Sequence, residues 1–325
     1  MRRRLGRDLH SGFSPHGFRS PLTRSLEDRC ARLAGPMVRS TSDFTLRAAP
    51  VSDSVSGLGE SPLWDPNAGL RWLDIAGDRL HTIDTDGHES SIPLSLTATA
   101  IELGPDSHLF TVTRTGFGWL DPGTGQIAQK VTTTEADGVT MNDAAIDPRG
   151  RAWAGSAVMD DSRRGALYRL DDRGVATQLR RLSMSNGIDW SPSGDTLYHV
   201  DSTAGTVTAW DYDLGSGELG AARVLRTVPR EIGLPDGLAV DAEGSIWLAI
   251  WGPGQVWRLD PRTGKVTATV NVPTPCTTSC AFGGPGLSIL YITTANHEQP
   301  EGGGLLYAVE APVTGRYAHR FAGAL

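Results

Sequence analysis

Glu60, Asn142, Asn186 and Asp236 occupy the same place in four otherwise different stretches of the chain. Each is followed after five residues by Asp65, Asp147, Ser191 or Asp241, and after eight or nine by Gly69, Gly150, Gly194 or Gly244. An aromatic comes eleven or twelve residues after each, at Trp72, Trp153, Tyr198 or Trp247. Two carboxylates and two carboxamides are hard oxygen donors, and a cup made of them suits a divalent cation. Such a cation polarises a carbonyl and lowers the pKa of bound water, which is the chemistry of ester hydrolysis. Asp236 is the candidate general base as well as a ligand, since a carboxylate beside that water can take its proton. Taken singly, Asn186-Gly187, Pro235-Asp236-Gly237 and Asn142-Asp143 read as turns or caps. Their shared register is what argues otherwise, because turns have no reason to recur at a fixed distance before an aromatic.

The elements that must position these residues follow from the same template. A short strand, a Gly-closed turn and a second strand account for the spacing. The template extends to six aromatics, Trp72, Phe110, Trp153, Tyr198, Trp247 and Tyr291, at intervals of 38, 43, 45, 49 and 44 residues. Each opens a strand-like stretch that is followed by another, as in Leu109–Thr113 then Phe117–Asp121, or Ile246–Trp251 then Gln255–Asp260. Repeats of about 40–50 residues with several strands each are the mark of a β-propeller blade. The expected fold is therefore all-β, a six-bladed propeller with a central metal channel. The segment near Phe44–Val55 is expected to complete the last blade. A large β-sandwich is the other architecture, but sandwiches need not repeat at this interval. Counting back from Phe110 and Tyr291 reaches Thr99 and Ser279, so acidic and amide residues occupy only some of the six positions.

Composition narrows the partners. Of 325 residues, 39 are Gly and 20 Pro, which favours a turn-rich β protein. The net charge of −7 hides a basic start: residues 1–36 hold eight Arg and three acids, leaving −12 on the remainder. An acidic body excludes nucleic acid as the expected partner. Residues 1–36 read as a disordered basic tail and 37–325 as a single domain. No uncharged apolar run reaches about 18 residues, so no membrane span is expected. Cys30, Cys276 and Cys280 make neither a disulfide framework nor a zinc ribbon, and the chain reads as cytoplasmic. His81, His88 and His108 fall in turn-like surroundings and are expected to be solvated. His199 alternates with Asp201 on one strand, either as a packed histidine or as a His–Asp couple, and Asp201 itself either orients the site or caps a strand end. No nucleophile elbow, phosphate loop or His-Glu-x-x-His is present.

Five motifs in order carry a family resemblance: Gly59-Glu60-Ser61-Pro62-Leu63-Trp64, Met141-Asn142-Asp143, Gly150-Arg151-Ala152-Trp153-Ala154-Gly155, Ser185-Asn186-Gly187-Ile188-Asp189-Trp190 and Pro235-Asp236-Gly237. From about Val55 to Ala308 the chain resembles the SMP-30/gluconolactonase/regucalcin-like (LRE-like) family. The resemblance implies a six-bladed propeller holding one divalent metal, Ca²⁺, Mg²⁺, Mn²⁺ or Zn²⁺, and the hydrolysis of sugar lactones. It implies Glu60, Asn186 and Asp236 as metal ligands and Asn142 as a metal-side or substrate contact. Two departures stand out. Thr140 occupies a substrate position where the family commonly has an arginine, and the family's Asn-Asp-Gly reads Asn142-Asp143-Ala144. Asp160 is a further candidate substrate contact by a looser correspondence. The expected function is thus a metal-dependent hydrolase of a cyclic ester, most simply a sugar (aldono) lactone, acting on a small molecule. A phosphotriesterase- or arylesterase-like propeller and a non-catalytic calcium-binding propeller remain the alternatives.

Overall fold

The computed structural model describes residues 44–133, 137–160, 162–323 and 325. The readings of residues 1–36 and of Cys30 lie outside them. Two short strands come first, β1 (Phe44–Arg47) and β2 (Ala49–Pro50). Blade one is β3 (Gly59–Asp65), β4 (Gly69–Asp74), β5 (Arg79–Ile83) and β6 (Glu89–Pro93). Blade two is β7 (Ala98–Leu103), β8 (Leu109–Thr113), β9 (Gly116–Leu120) and β10 (Ile127–Thr132). Blade three is β11 (Val139–Ile146), β12 (Ala152–Val158), β13 (Gly165–Asp171) and β14 (Gly174–Leu182). Blade four is β15 (Ser185–Trp190), β16 (Thr196–Asp201), β17 (Thr206–Asp213) and β18 (Glu218–Thr227). Blade five is β19 (Leu234–Val240), β20 (Ile246–Trp251), β21 (Gln255–Leu259) and β22 (Val266–Asn271). Blade six holds β23 (Thr277–Gly283), β24 (Ile289–Thr294) and β25 (Tyr307–Glu310).

The first strands of the blades, β3, β7, β11, β15, β19 and β23, touch one another in turn and close a ring, β23 meeting β3. The architecture is the all-β, six-bladed propeller expected from the repeat. All six template aromatics lie on second strands and are at most 4% exposed, which makes them the wedge between neighbouring blades. The residue five after each candidate serves the turn that follows. Asp147 accepts hydrogen bonds from the Arg149 and Arg151 amides and from the Tyr212 hydroxyl, while Asp241 accepts from Ser245 N, Trp247 Nε1 and Arg258 Nε. Both carboxylates are fully buried. The template thus records two demands, a hub residue and a polar residue that closes its turn, which in blades three and five is a buried acid.

Ring closure uses the start of the chain as expected, with one addition. β2 pairs antiparallel with β25 and supplies the fourth strand of blade six. β1 pairs in parallel with β22 as a fifth strand of blade five, so the chain ties two adjacent blades. His81 departs from the sequence reading: it is buried on β5 with its ring stacked on Trp72 at 4.9 Å. It faces a wedge aromatic across a strand pair, which a reading of the residues near turns did not foresee. His88 and His108 are exposed, as expected.

Residues after β25 form a strap across one end of the ring. Gly315 N donates to Leu287 O, Ala242 N to Thr314 O, Phe321 N to Leu103 O and Ala322 N to Gly150 O, touching four blades. Arg316 reaches blades four and five, donating to Asp189 Oδ1 at 2.9 Å, Trp190 O at 2.7 Å and Val240 O at 3.2 Å. Arg316→Ala would leave those carbonyls and Asp189 without their cationic donor. It should cost about 1–3 kcal/mol, or several degrees in Tm at roughly 2–4 °C per kcal/mol. An unchanged melting curve would show that the strap adds nothing to ring closure.

Candidate functional site

Every first strand breaks its pairing register at the template position. The shift falls between Glu60 and Leu63, Ala98 and Ala100, Met141 and Ala144, Ser185 and Ile188, Pro235 and Leu238, and Thr277 and Ser279. A β-bulge leaves residues out of the ladder and re-aims their side chains. Asn142, Asn186, Asp236, Thr99 and Thr278 all lie inside these bulges, and Glu60 borders one. In blade six the bulged residue is Thr278, one before the Ser279 reached by counting. The glycines after Asn186 and Asp236 are set by crowding at the hub, not by turns. A Cβ on Gly187 would lie 2.7 Å from the Asp236 carbonyl oxygen, and one on Gly237 would lie 2.2 Å from Ser279 Oγ.

The hub is held by its own hydrogen bonds. Glu60 Oε2 accepts from Ser61 N, whose residue sits in the left-handed region at φ 49°. Asn142 donates from Nδ2 to Ser185 O at 2.9 Å, and its backbone carbonyl accepts from Thr99 Oγ1 at 2.7 Å. Asn186 is buried and donates from Nδ2 to Ser202 Oγ at 3.1 Å, which leaves its amide oxygen as the atom to offer a ligand. Asp201 accepts from the amides of Ser183 and Met184, so it caps the loop that delivers Asn186. The His199 Nε2 meets Ser185 Oγ at 2.8 Å, and burial pushes its pKa down to about 4 against a smaller opposing pull from the Asp201 charge.

Electrostatically the hub is an uncompensated acid pair. Burial pushes the Glu60 carboxyl well above its ordinary range, and the charges of Asp236 and Asp143 push it further. Asp236 is raised well above its ordinary range by burial and then by Asp143. Among the described residues Asp236 Oδ1 is buried and accepts no hydrogen bond. Buried acceptors are normally satisfied, so an orphaned carboxylate oxygen beside a second acid marks a place for a cation.

Below this pair lie two carboxylates that the sequence reading did not single out. Asp143 is pushed up to about 6 by burial, and Glu102 is raised well above its ordinary range by burial and by Asp143 and Asp189. They line a cavity of about 140 Å³ together with Ile188, Asp189 and the strap residues Arg316 and His319. Asp143 follows Asn142 inside the same bulge, a signal the sequence did carry. Glu102 lies on β7 past the bulge, where only the pairing register identifies it.

The remaining candidates are placed less centrally. Thr140 is on β11 opposite Ala157, two residues before Asn142. Asp160 follows β12 at the end of the ring where β11 begins, but its side chain is 58% exposed and bonded within its own loop, to Ser162 N and to Arg164. It is not among the residues gathered at the hub. Asp84, Asp86 and His88 also cluster at the surface, where Asp84 Oδ1 closes a turn by accepting from the amides of Asp86 and His88. Cys276 and Cys280 are buried free thiols with no metal-ligand set around them among the described residues, in keeping with small packed side chains.

Known proteins share this arrangement of blades. A family model described as the SMP-30/gluconolactonase/LRE-like region matches residues 58–296. Regucalcin of Gallus gallus is 34% identical over 286 residues, covering 82% of this chain and 95% of its own. A Bacillus subtilis protein named "Putative sugar lactone lactonase YvrE" is 34% identical over 272 residues, covering 79% and 92%. The solved structure of a calcium-binding protein, regucalcin, from Agrobacterium tumefaciens superposes with a TM-score of 0.80 at 28% identity, covering 87% of this chain and 99% of that one.

Proposed function

Because the chain belongs to the SMP-30/gluconolactonase/LRE-like family, we propose that it is a divalent-cation-dependent lactonase acting at the hub on a cyclic ester of the sugar-lactone type. The observation that carries this reading is the orphaned Asp236 Oδ1, buried beside Glu60 with both acids held above their ordinary pKa. Glu60, Asn186 and Asp236 would hold the cation, as two carboxylates and one amide oxygen suit Ca²⁺, Mg²⁺, Mn²⁺ or Zn²⁺. When bound, the cation supplies a Lewis acid for the ester carbonyl and eases the ionisation of water. Asp236 is the base: its second oxygen would accept the proton of the water that attacks the carbonyl carbon. Asn142 would orient the substrate, with its own amide fixed on Ser185 O. Thr140 would face the substrate with a hydroxyl and not a guanidinium, which relaxes the demand for a polyhydroxylated ring.

The strap closes one end of the ring, so substrate would enter from the end where β3, β15 and β19 begin. No helix among the described residues is long and apolar enough to cross a membrane, and the free thiols fit a reducing compartment; we place the reaction in the cytoplasm on that basis. The test is a pH-drop assay over a lactone panel with metal-stripped protein and each cation added back. Lactone hydrolysis that vanishes on chelation and returns with one of the four cations is the expected result. Turnover indifferent to chelation would overturn the metal, and hydrolysis of phosphotriesters alone would overturn the lactone. A propeller that only stores calcium would bind the ion and turn over nothing.

A further inference from the structure

Beside the hub, at the end opposite the strap, lies a second cavity of about 470 Å³ whose lining sets Leu58, Ala295 and the rings of Trp251 and His297 against the polar Asn296, Glu298 and Gln299. Its walls are continuous with the candidate ligands. Leu58 stands two residues before Glu60 and bridges to Ala295. Trp251 pairs with Leu234, two residues before Asp236. Each carboxylate of the pair therefore has a cavity wall two residues upstream on its own strand, or on the strand paired with it.

One side of the wall carries two rings, and its backbone is held under constraint. The rings of Trp251 and His297 lie 5.7 Å apart at 50°. Gly233 allows the Trp251 backbone its position, since a Cβ there would come 2.3 Å from Trp251 O. The turn after His297 places Glu298 and Gln299 in the left-handed region in succession, at φ 58° and 53°, where non-glycine residues are disfavoured. Such conformations cluster at ligand clamps and persist only where the surrounding structure fixes them. Asn296 N donates to Gly57 O and Ala295 N to Cys276 O, which pins that turn to blades one and six.

We infer that this cavity is a specificity subsite for an apolar, preferably aryl, substituent on the lactone ring, packed against the adjoining Trp251 and His297 rings while the ester lies at the hub. The inference rests on the lactonase reading and names its substrate class. A cavity of this size holds a phenyl ring with room to spare, and the indole face offers stacking in place of the hydrogen bonds a sugar would need. Thr140, with no guanidinium to grip hydroxyls, fits the same preference.

The test compares γ-phenyl-γ-butyrolactone, γ-butyrolactone and glucono-1,5-lactone on the cation-loaded, full-length protein. The aryl lactone should show the lowest KM. Trp251→Ala should raise its KM about tenfold, leaving γ-butyrolactone within twofold, while Trp251→Phe keeps most of the preference. His297→Ala, at a side chain already 62% exposed, gives a second variant with little risk to folding. Binding is read separately by saturation-transfer NMR, where the phenyl protons should be the most strongly saturated and the effect should disappear in Trp251→Ala. Phenyl saturation that depends on Trp251 without hydrolysis of any lactone would support the subsite and remove only the hydrolase reading. Hydrolysis with no aryl preference, or phenyl contact indifferent to Trp251, would overturn the subsite.

Discussion

Asp236→Ala is expected to lower kcat/KM for the best lactone by about 10³-fold or more, because the change removes a proton acceptor and a cation ligand together. General-base catalysis alone accounts for about 10²–10⁴, and a factor of 10³ corresponds to about 4 kcal/mol of barrier. Asp236→Asn separates the two roles. It keeps an oxygen on the cation but cannot take a proton, so kcat should fall nearly as far while cation affinity falls less. Misfolding is an unsuitable explanation for either loss, because Asp236 is a buried acid whose Oδ1 has no hydrogen-bond partner among the described residues. Removing it relieves repulsion on Glu60, so the metal-stripped Asp236→Ala protein should melt no lower than the metal-stripped wild type. Turnover within tenfold of wild type, measured by pH-stat, would remove Asp236 from the chemistry. A scaffold that merely binds calcium has no turnover for the substitution to lower.

The sequence carried the ring because the hub and the wedge are set by independent requirements that recur at one spacing. Trp153 must fill the space between blades, Asp147 must close the turn, and Asn142 must stand in the bulge; each leaves its own residue type in the template. Side-chain period alone would have hidden the bulges. They are one or two unpaired residues in a strand, and only the pairing of Met141 with Ser156 followed by Ala144 with Ala154 shows that Asn142 and Asp143 leave the ladder. The Ser279 count missed by one residue because the ladder between bulge and turn is one pair longer in blade six, Ser279–Gly283, than in blade two, Ala100–Leu103.

What the sequence concealed are features made by contacts between distant segments. Glu102 becomes a cavity acid only because blade two sits beside blade three, and nothing near Glu102 in the chain announces it. The strap of residues 311–323 has no period, and its role appears in single hydrogen bonds to turns of four blades. Asp160 shows the converse. It was a candidate substrate contact only by a loose family correspondence, and Arg164 and Ser162 answer its charge locally. Trp251 was legible as a strand end but not as a wall, because His297 reaches it from another blade.

A divalent cation should raise the melting temperature by about 5 °C or more, and the gain should grow between pH 5.5 and pH 7.5. Saturation at about 100 times Kd adds about 2.7 kcal/mol, which at roughly 2–4 °C per kcal/mol gives that shift. The pH dependence follows from the carboxyls. Glu60, Asp236 and Glu102 are raised well above their ordinary range, and Asp143 to about 6, all chiefly by burial. Above about pH 4 the unfolded chain ionises these acids while the folded one keeps their protons. The folded state then binds more protons than the unfolded one, so metal-free stability is highest at low pH and declines as pH rises through the folded values. A cation on Glu60 and Asp236 replaces those protons and removes their share of the decline. Three histidines act in the other direction: His199, lowered to about 4, and His81 and the half-buried His319, also lowered by desolvation, cost stability as pH falls below their unfolded value. Comparing calcium-loaded and chelated protein at each pH cancels that contribution, since it is common to both. Calorimetric curves that coincide with and without cation at pH 7.5 would mean that the acid pair at the hub holds no ion, and a gap that narrows with rising pH would mean that the ion sits elsewhere.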